Sequence, residues 1–179
     1  MLSDYLPITT TTTHDAYIGV PLATHSSSAR GDILEVVAMR VMEEKMGEKA
    51  QTPTSGTCVN GTRRGRNSEE YDFLISGRRV EVKSAQLKWN TCKRCWWVNW
   101  QNIKRDAYDD LLLVLYTPSS VHLFIHDHVY GVSTNGKSQR VRGGRIDVCG
   151  RRNETCISVT LDVILGKLNH MHYATLAYS

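Results

Sequence analysis

Two short strand-like runs flanking Ser76-Gly77 constrain the fold of this chain more than any other feature of its sequence. The runs cover residues 71–75 and 78–83 and alternate apolar with polar side chains. A two-residue connection that contains glycine is typical of a tight β-hairpin. The sequence therefore predicts two antiparallel strands joined by this turn.

The predicted hairpin brings two carboxylates together. A two-residue turn places Asp72 opposite Glu81 on one face, with β-carbons about 5 Å apart. Lys83 lies two residues beyond Glu81 on the same face, roughly 7 Å along the strand. Facing carboxylates repel unless a cation lies between them, and Mg²⁺ prefers such oxygen ligands. The alternative is a solvated charged face on which Lys83 pairs with Glu70.

The rest of the chain alternates helices and strands. Apolar residues at helical spacing predict a helix over about 30–46, ended by Gly47. Residues 1–28 and the basic segment 131–155 are predicted to be irregular. This order predicts an α/β domain in which helices flank a mixed central β-sheet. The further predicted elements are a strand over 96–100, a short helix over 103–108, a hairpin over 110–116 and 121–126, and a helix over 159–168.

Size and composition fit a small protein with its own core. The 179 residues suit a single domain, and 41% are hydrophobic. The net charge of +4 is compatible with a nucleic-acid partner. No signal peptide is evident, and the longest aliphatic run, 111–115, is too short to cross a membrane. We expect a cytoplasmic protein without membrane contact, or a nuclear one if the host is eukaryotic or viral.

The residues Asp72 and Glu81-Val82-Lys83 resemble the motif of the PD-(D/E)xK nuclease superfamily. Members of that superfamily carry these residues on adjacent strands of a hairpin that follows a helix with a glutamate. Glu35 in the predicted helix matches that glutamate in position. Tyr71 stands where the family motif has proline. The resemblance covers about residues 30–126, which it implies to be a catalytic core of the restriction-endonuclease-like fold.

The resemblance implies a Mg²⁺-dependent endodeoxyribonuclease, with Mn²⁺ as a substitute metal. A sequence-specific enzyme of the type II restriction or homing kind is the first expectation. A structure-specific nuclease, such as a junction resolvase or a repair nuclease, is the alternative enzyme. A DNA-binding module without catalysis is the alternative from another class. The implied partner is double-stranded DNA, and a homodimer is expected if both strands are cut.

The resemblance also implies roles for individual groups. Lys83 would orient the attacking water and offset phosphate charge, and Gln101 would lie beside the site. Gln101 could instead be a strand-end amide that caps the next helix, and Glu35 could be a solvent-facing helix residue. The groups expected to hold the metal are the carboxylates of Asp72, Glu81 and Glu35 and the carbonyl of Val82.

Basic residues outside the hairpin are candidates for DNA contact. They occur in polar, glycine-containing segments, where flexible cationic side chains suit phosphates and arginine suits guanine edges. A solvated basic surface is the alternative. The candidates are Arg63, Arg64, Arg66, Lys137, Arg140, Arg142 and Arg145.

Five cysteines are present, without the pattern of a disulfide framework. Cys92 and Cys95 form a CxxC pair, which Cys149 and Cys156 could complete as a structural Zn²⁺ site. The six-residue spacing within the second pair departs from the usual zinc pattern. The favoured interpretation is that the cysteines are small buried apolar residues.

Overall fold

The computed structural model describes residues 13–53, 71–104, 107–130, 132–133 and 144–178. Within these ranges the chain forms three α-helices, a short 3₁₀ helix and nine strands. In chain order they are α1 Thr13–Ala16, α2 Ser27–Met46, β1 Phe73–Ile75, β2 Arg78–Gln86, β3 Lys88–Asn90, β4 Cys95–Ile103, β5 Asp110–Tyr116, β6 Ser120–Ile125, β7 Val132–Ser133, β8 Gly144–Cys149, α3 Ile157–Leu168, the 3₁₀ helix Asn169–Met171, and β9 His172–Ala177.

The predicted hairpin is confirmed for the pairs from Phe73–Val80 to Ile75–Arg78, whereas Asp72, predicted to face Glu81, lies just before the paired residues. β1 and β2 are antiparallel, and Phe73 pairs with Val80. Ser76 and Gly77 have φ angles of 49° and 73°. Two positive φ angles at the centre of a two-residue hairpin loop are typical of a type I′ turn, whose twist matches the strands. Glu48 fixes this turn, because its carboxylate accepts hydrogen bonds from the Ser76 N–H, at 3.1 Å, and from the Ser76 hydroxyl.

The hairpin belongs to a mixed five-stranded sheet with the order β1-β2-β5-β6-β9. β2 and β5 are parallel, and the other neighbours are antiparallel. Residues 111–116 of β5 are all buried, as expected for a strand covered on both faces. The predicted α/β fold, with a mixed central sheet flanked by helices, is confirmed.

Helix α2 covers one face of this sheet. Its first turn is capped by Ser26, whose hydroxyl accepts a hydrogen bond from the Ala29 N–H at 3.2 Å. Gly47 ends it in the left-handed conformation, as predicted. The apolar layer beneath the helix includes Leu34, Ala38, Met42, Phe73, Ile75, Val80, Val82, Leu112 and Val114.

A second sheet, with the order β3-β4-β8-β7, packs with α3 against the opposite face. The buried side chains of β4 alternate along the strand, so that its other residues face away from this core. The layer includes Trp96, Val98, Trp100, Leu111, Leu113, Leu115, Ile146, Val148, Leu161, Ile164 and Leu168.

Three local predictions were wrong. Residues 103–108 do not form a helix in their described part, because Ile103 is buried as the last residue of β4. The segment 131–155 contains β8, whose alternating apolar residues complete the second sheet. The segment 1–28 contains α1 and the start of α2. None of the helices in the described ranges is long and apolar enough to cross a membrane.

Candidate active site

A cavity of about 630 Å³ lies between the N-terminal half of α2, the strand β2 and the strand β4. Its lining includes several residues selected from the sequence, namely Glu35, Asp72, Val82, Lys83 and Gln101. Residues from distant parts of the sequence thus share one site, because α2 packs on β2 and β4 passes beside it. The sequence analysis did not select Arg30, Lys88 or Asn99, which also line the cavity.

Asp72 is fixed at the base of the hairpin. One oxygen of its carboxylate accepts a hydrogen bond of 2.6 Å from the Val82 N–H, and its own N–H donates to the Val80 carbonyl at 2.9 Å. Burial raises the pKa of Asp72 to about 7, with further increases from Glu81 and Glu35. The carboxylate is therefore held where its negative charge is poorly compensated.

Glu35 reaches the same site from α2. It lies one helical turn after Gly31, whose α-carbon approaches Ser84 of β2 closely enough that an added β-carbon would lie 3.6 Å from the hydroxyl. Burial raises the pKa of Glu35, and Asp32 and Glu81 raise it further. Glu35 is therefore partly buried and is not a purely solvent-facing helix residue. The helix glutamate and the hairpin acids form one electrostatic cluster.

Glu81 and Lys83 lie side by side on the same face of β2. The Lys83 ammonium contacts a Glu81 carboxylate oxygen. The Glu81 side chain is 13% exposed and the Lys83 side chain is 23% exposed. This burial argues against a freely solvated charged face, although the alternative partner Glu70 lies outside the described residues. Lys83 also lowers the pKa of Asp72, so its charge acts on the whole cluster.

The donor set fits a hard divalent cation. In the described residues no three histidine, cysteine or acidic side chains are already arranged as a metal cluster. Nevertheless, after burial, the carboxylates of Glu81 and Glu35 raise the pKa of Asp72, and Glu81 contributes to the raised pKa of Glu35. A cation bound among them would relieve that repulsion, and carboxylate oxygens are the ligands that Mg²⁺ prefers.

Gln101 lies in the body of β4, with its amide nitrogen contacting the Asn99 side-chain oxygen. The alternative that Gln101 caps a following helix is wrong, because β4 continues to Ile103 and the described residues after it are not helical. Asn99 in turn donates to Asp147 of β8. The alternation of β4 could have identified Asn99 from the sequence, because it lies between the buried Val98 and Trp100.

Arg30 also lines the cavity, but unlike Asn99 it could not have been identified from the sequence. Its guanidinium donates to the Gln86 side-chain oxygen at 3.0 Å and lies over the Tyr116 ring, 5.1 Å from the centroid. An arginine at the start of an amphipathic helix has no distinguishing sequence pattern. Only the packing of α2 on the sheet places it beside the cavity.

The predicted DNA-binding residues are mostly beyond what the structure describes. Arg145 is described, and its Nε lies 3.2 Å from an Asp147 oxygen on β8, with 52% of the side chain exposed. The candidates outside the described residues are Arg63, Arg64, Arg66, Lys137, Arg140 and Arg142.

The four described cysteines are free thiols with different environments. Cys95 is buried, as expected for a small apolar residue. Burial is the main cause of its raised pKa, and the neighbouring Cys149 raises that pKa further. Cys92 and Cys156 are exposed, so the interpretation as buried residues is wrong for them. These four thiols are not grouped as a zinc site in the described part of the chain.

No protein-family model matches the sequence, and no curated protein is significantly similar to it. Among solved structures, the chain is similar to a bacterial homing endonuclease, I-Ssp6803I. The sequences are 21% identical, the match covers 81% of this chain and 95% of the other, and the TM-score is 0.37.

Proposed function

We propose that this protein is a Mg²⁺-dependent endodeoxyribonuclease that hydrolyses DNA phosphodiester bonds, with a restriction-endonuclease-like catalytic core. The observation that carries the proposal is the half-buried carboxylate cluster, in which Asp72 has a pKa of about 7 and Lys83 contacts Glu81. Asp72, Glu35 and Lys83 line an open cavity that gives a phosphate group access to them, whereas Glu81 is outside its lining. Acids and a lysine in this arrangement match the motif that the sequence resembles.

The acidic residues and Lys83 have different proposed roles in the reaction. Asp72 and Glu81 would hold the metal, with Glu35 and the Val82 carbonyl as further ligands. Mg²⁺ supplies Lewis-acid stabilisation of the phosphate and lowers the pKa of a nucleophilic water. Lys83 offsets negative charge that develops on the phosphate and orients the attacking water. The Val82 N–H keeps Asp72 in place through its 2.6 Å hydrogen bond.

Double-stranded DNA is the proposed substrate, and a homodimer is the proposed working form. One cluster of this kind cuts one strand, and a two-fold axis supplies the second cluster for the other strand. Gln101, beside the cavity, is proposed to assist the substrate rather than to bind metal. A sequence-specific enzyme of the restriction or homing type is the favoured form of this activity.

Cleavage of a long duplex with and without Mg²⁺ tests the proposal. We expect Lys83→Ala to lower the cleavage rate by roughly 10²–10³-fold, the usual effect of removing a group that stabilises transition-state charge. DNA binding should persist in this variant. Lys49→Ala is the matched control, because that side chain is 90% exposed, pairs with Glu43 and does not line the cavity.

The products separate the competing functions. Discrete fragments support a sequence-specific enzyme, whereas a smear, or cutting confined to branched substrates, supports a structure-specific nuclease. Binding without Mg²⁺-dependent cleavage in the wild-type protein would overturn the nuclease proposal and leave a DNA-binding module. Equal cleavage by wild type and Lys83→Ala would remove Lys83 from the mechanism.

A further inference from the structure

The second sheet presents a polar face next to the carboxylate cluster. Strands β4 and β8 are antiparallel, and the pairs Asn99–Asp147 and Trp100–Ile146 define their register. The buried side chains of both strands point into the core, so the intervening residues point outwards. We call these two strands, Cys95–Ile103 and Gly144–Cys149, the β4–β8 ribbon.

A row of hydrogen-bonded and ion-paired side chains crosses the outward face of the β4–β8 ribbon. Gln101 donates to Asn99, Asn99 donates to Asp147, and the Nε of Arg145 forms an ion pair with Asp147 at 3.2 Å. Gln101 and Asn99 line the cavity, and Arg145 lies one strand further out. The row therefore runs from the proposed cleavage site to the exposed surface. Its internal contacts restrict the side-chain conformations before any ligand binds.

The composition of this row matches the edges of DNA bases. Asparagine and glutamine form paired hydrogen bonds with adenine, and arginine forms them with guanine, in the major groove. That groove also admits a two-stranded β-ribbon. A row built only to contact phosphate would be expected to carry more cations and no acid, whereas this one contains Asp147.

A bulge sets the end of the ribbon. The regular pairing of β4 with β8 is interrupted between Trp100 and Ile103, where Asn102 has a φ of 60°. Bulges redirect side chains and occur frequently beside active sites. Gln101 and Asn102 are the residues of this irregular stretch, and both line the cavity, so the row ends at the cavity.

From these contacts we propose that the β4–β8 ribbon lies in the DNA major groove and that Asn99, Gln101 and Arg145 are its specificity-determining residues. Asp147 is a positioning residue that orients Asn99 and Arg145. This inference rests on the proposed function, since it takes DNA as the substrate. It adds a defined readout surface that adjoins the cleavage site.

Selection of bound sequences from a random duplex library tests the ribbon without requiring cleavage. The Lys83→Ala variant in the presence of Mg²⁺ serves as the starting protein, so that the bound DNA survives. We expect an enriched sequence motif. Arg145→Lys keeps the charge but removes the forked donor pair, and should weaken the preference at one base position by roughly 5- to 150-fold.

Two further variants sharpen the test. Asn99→Ala should relax a neighbouring position, and Asp147→Ala should relax the positions that Asn99 and Arg145 contact. The matched control is Arg40→Lys, on an exposed part of α2 away from the cavity, which should leave the motif unchanged. Affinity for unrelated duplexes should change no more in Arg145→Lys than in this control.

The outcomes distinguish this inference from the nuclease proposal. An enriched motif that loses base preference in Arg145→Lys supports the ribbon, even if the wild-type protein proves unable to cut DNA. No enriched motif, or a uniform loss of affinity for all sequences in these variants, overturns the ribbon, even if Mg²⁺-dependent cleavage is observed.

Discussion

Neutralising Asp72 should stabilise the metal-free protein and, under the proposed function, abolish DNA cleavage. Burial and two neighbouring carboxylates raise the pKa of Asp72 from 3.8 to about 7. The unfolded chain therefore releases this proton at lower pH than the folded chain does. The stability associated with the protonated group is complete below pH 3.8 and is lost as the pH rises through 7.

The magnitude follows from the two pKa values. At pH 8 the ionised carboxylate costs the folded state about 4 kcal/mol at 1.36 kcal/mol per unit of pKa difference. Water in the open cavity screens the charge, so we halve this figure to about 2 kcal/mol. Asp72→Asn removes the charge and keeps an oxygen to accept from the Val82 N–H. For a chain of this size, about 2 kcal/mol raises the Tm by roughly 4–8 °C.

Thermal and urea unfolding in the presence of EDTA measure this effect. The difference between Asp72→Asn and wild type should be near zero at pH 4 and largest at pH 8. Mg²⁺ should raise the Tm of the wild type and leave that of the variant unchanged, because ligand binding to the folded state stabilises it. Asp109→Asn is the control of opposite sign, since hydrogen bonds from the side chain and the backbone of Arg79 lower the pKa of Asp109.

One result would refute the reasoning. If Asp72→Asn is no more stable than the wild type at pH 8 without metal, burial and the neighbouring carboxylates do not raise the pKa of Asp72. The electrostatic argument for a cation site would then lose its basis, whatever the cleavage assay shows. An increase in stability that does not depend on pH would point to packing instead of charge.

Three further predictions concern the fold. Burial, with a contribution from His172, lowers the pKa of His122 to about 4. The wild type should therefore lose about 2 kcal/mol more of its unfolding free energy than His122→Gln between pH 7 and pH 4.5, and equal pH dependence of the two proteins in urea titrations would contradict this. Gly150→Ala should lower the free energy of unfolding by about 1–3 kcal/mol in urea titrations, because the new β-carbon would lie 2.7 Å from a methyl group of the buried Thr160. An unchanged free energy of unfolding would contradict this prediction. Gly166→Ala in α3 meets no atom within 4 Å and should stabilise the protein by roughly 0.5–1 kcal/mol, an effect that a lower Tm would disprove.

Local patterns predicted the elements that depend on local physics. The Ser76-Gly77 turn fixed the register of β1 and β2, because a two-residue connection with positive φ angles permits few alternatives. Helix α2 and the β5–β6 hairpin were also predicted, from their apolar periodicity and from the turn between the strands. The carboxylate cluster was accessible to sequence analysis because two of its members lie on that single hairpin.

The second sheet was harder to predict because its strands are far apart in sequence. β4 pairs with β8 across more than 40 residues, and β8 lies in a segment whose arginines and glycines suggested a loop. In β8 only Ile146 and Val148 alternate with polar residues. This pattern is too short to predict a strand without knowing that β4 pairs with it. The strand β9 was missed because residues 172–177 are mostly half-buried or exposed and show weak alternation.

The two-residue length of the Ser76-Gly77 connection restricts how this gene can vary. Inserting a single codon there would keep every acid and the lysine in the protein, yet it would rotate Asp72 towards the hydrophobic layer beneath α2, since neighbouring positions on a strand face opposite ways. A homologue with a loop lengthened by one residue would have to shift its aspartate by one position to restore the cluster. The spacing between the aspartate and the glutamate should therefore change only together with the loop length. Insertions and deletions at this turn would then indicate whether a related gene still encodes an intact carboxylate cluster.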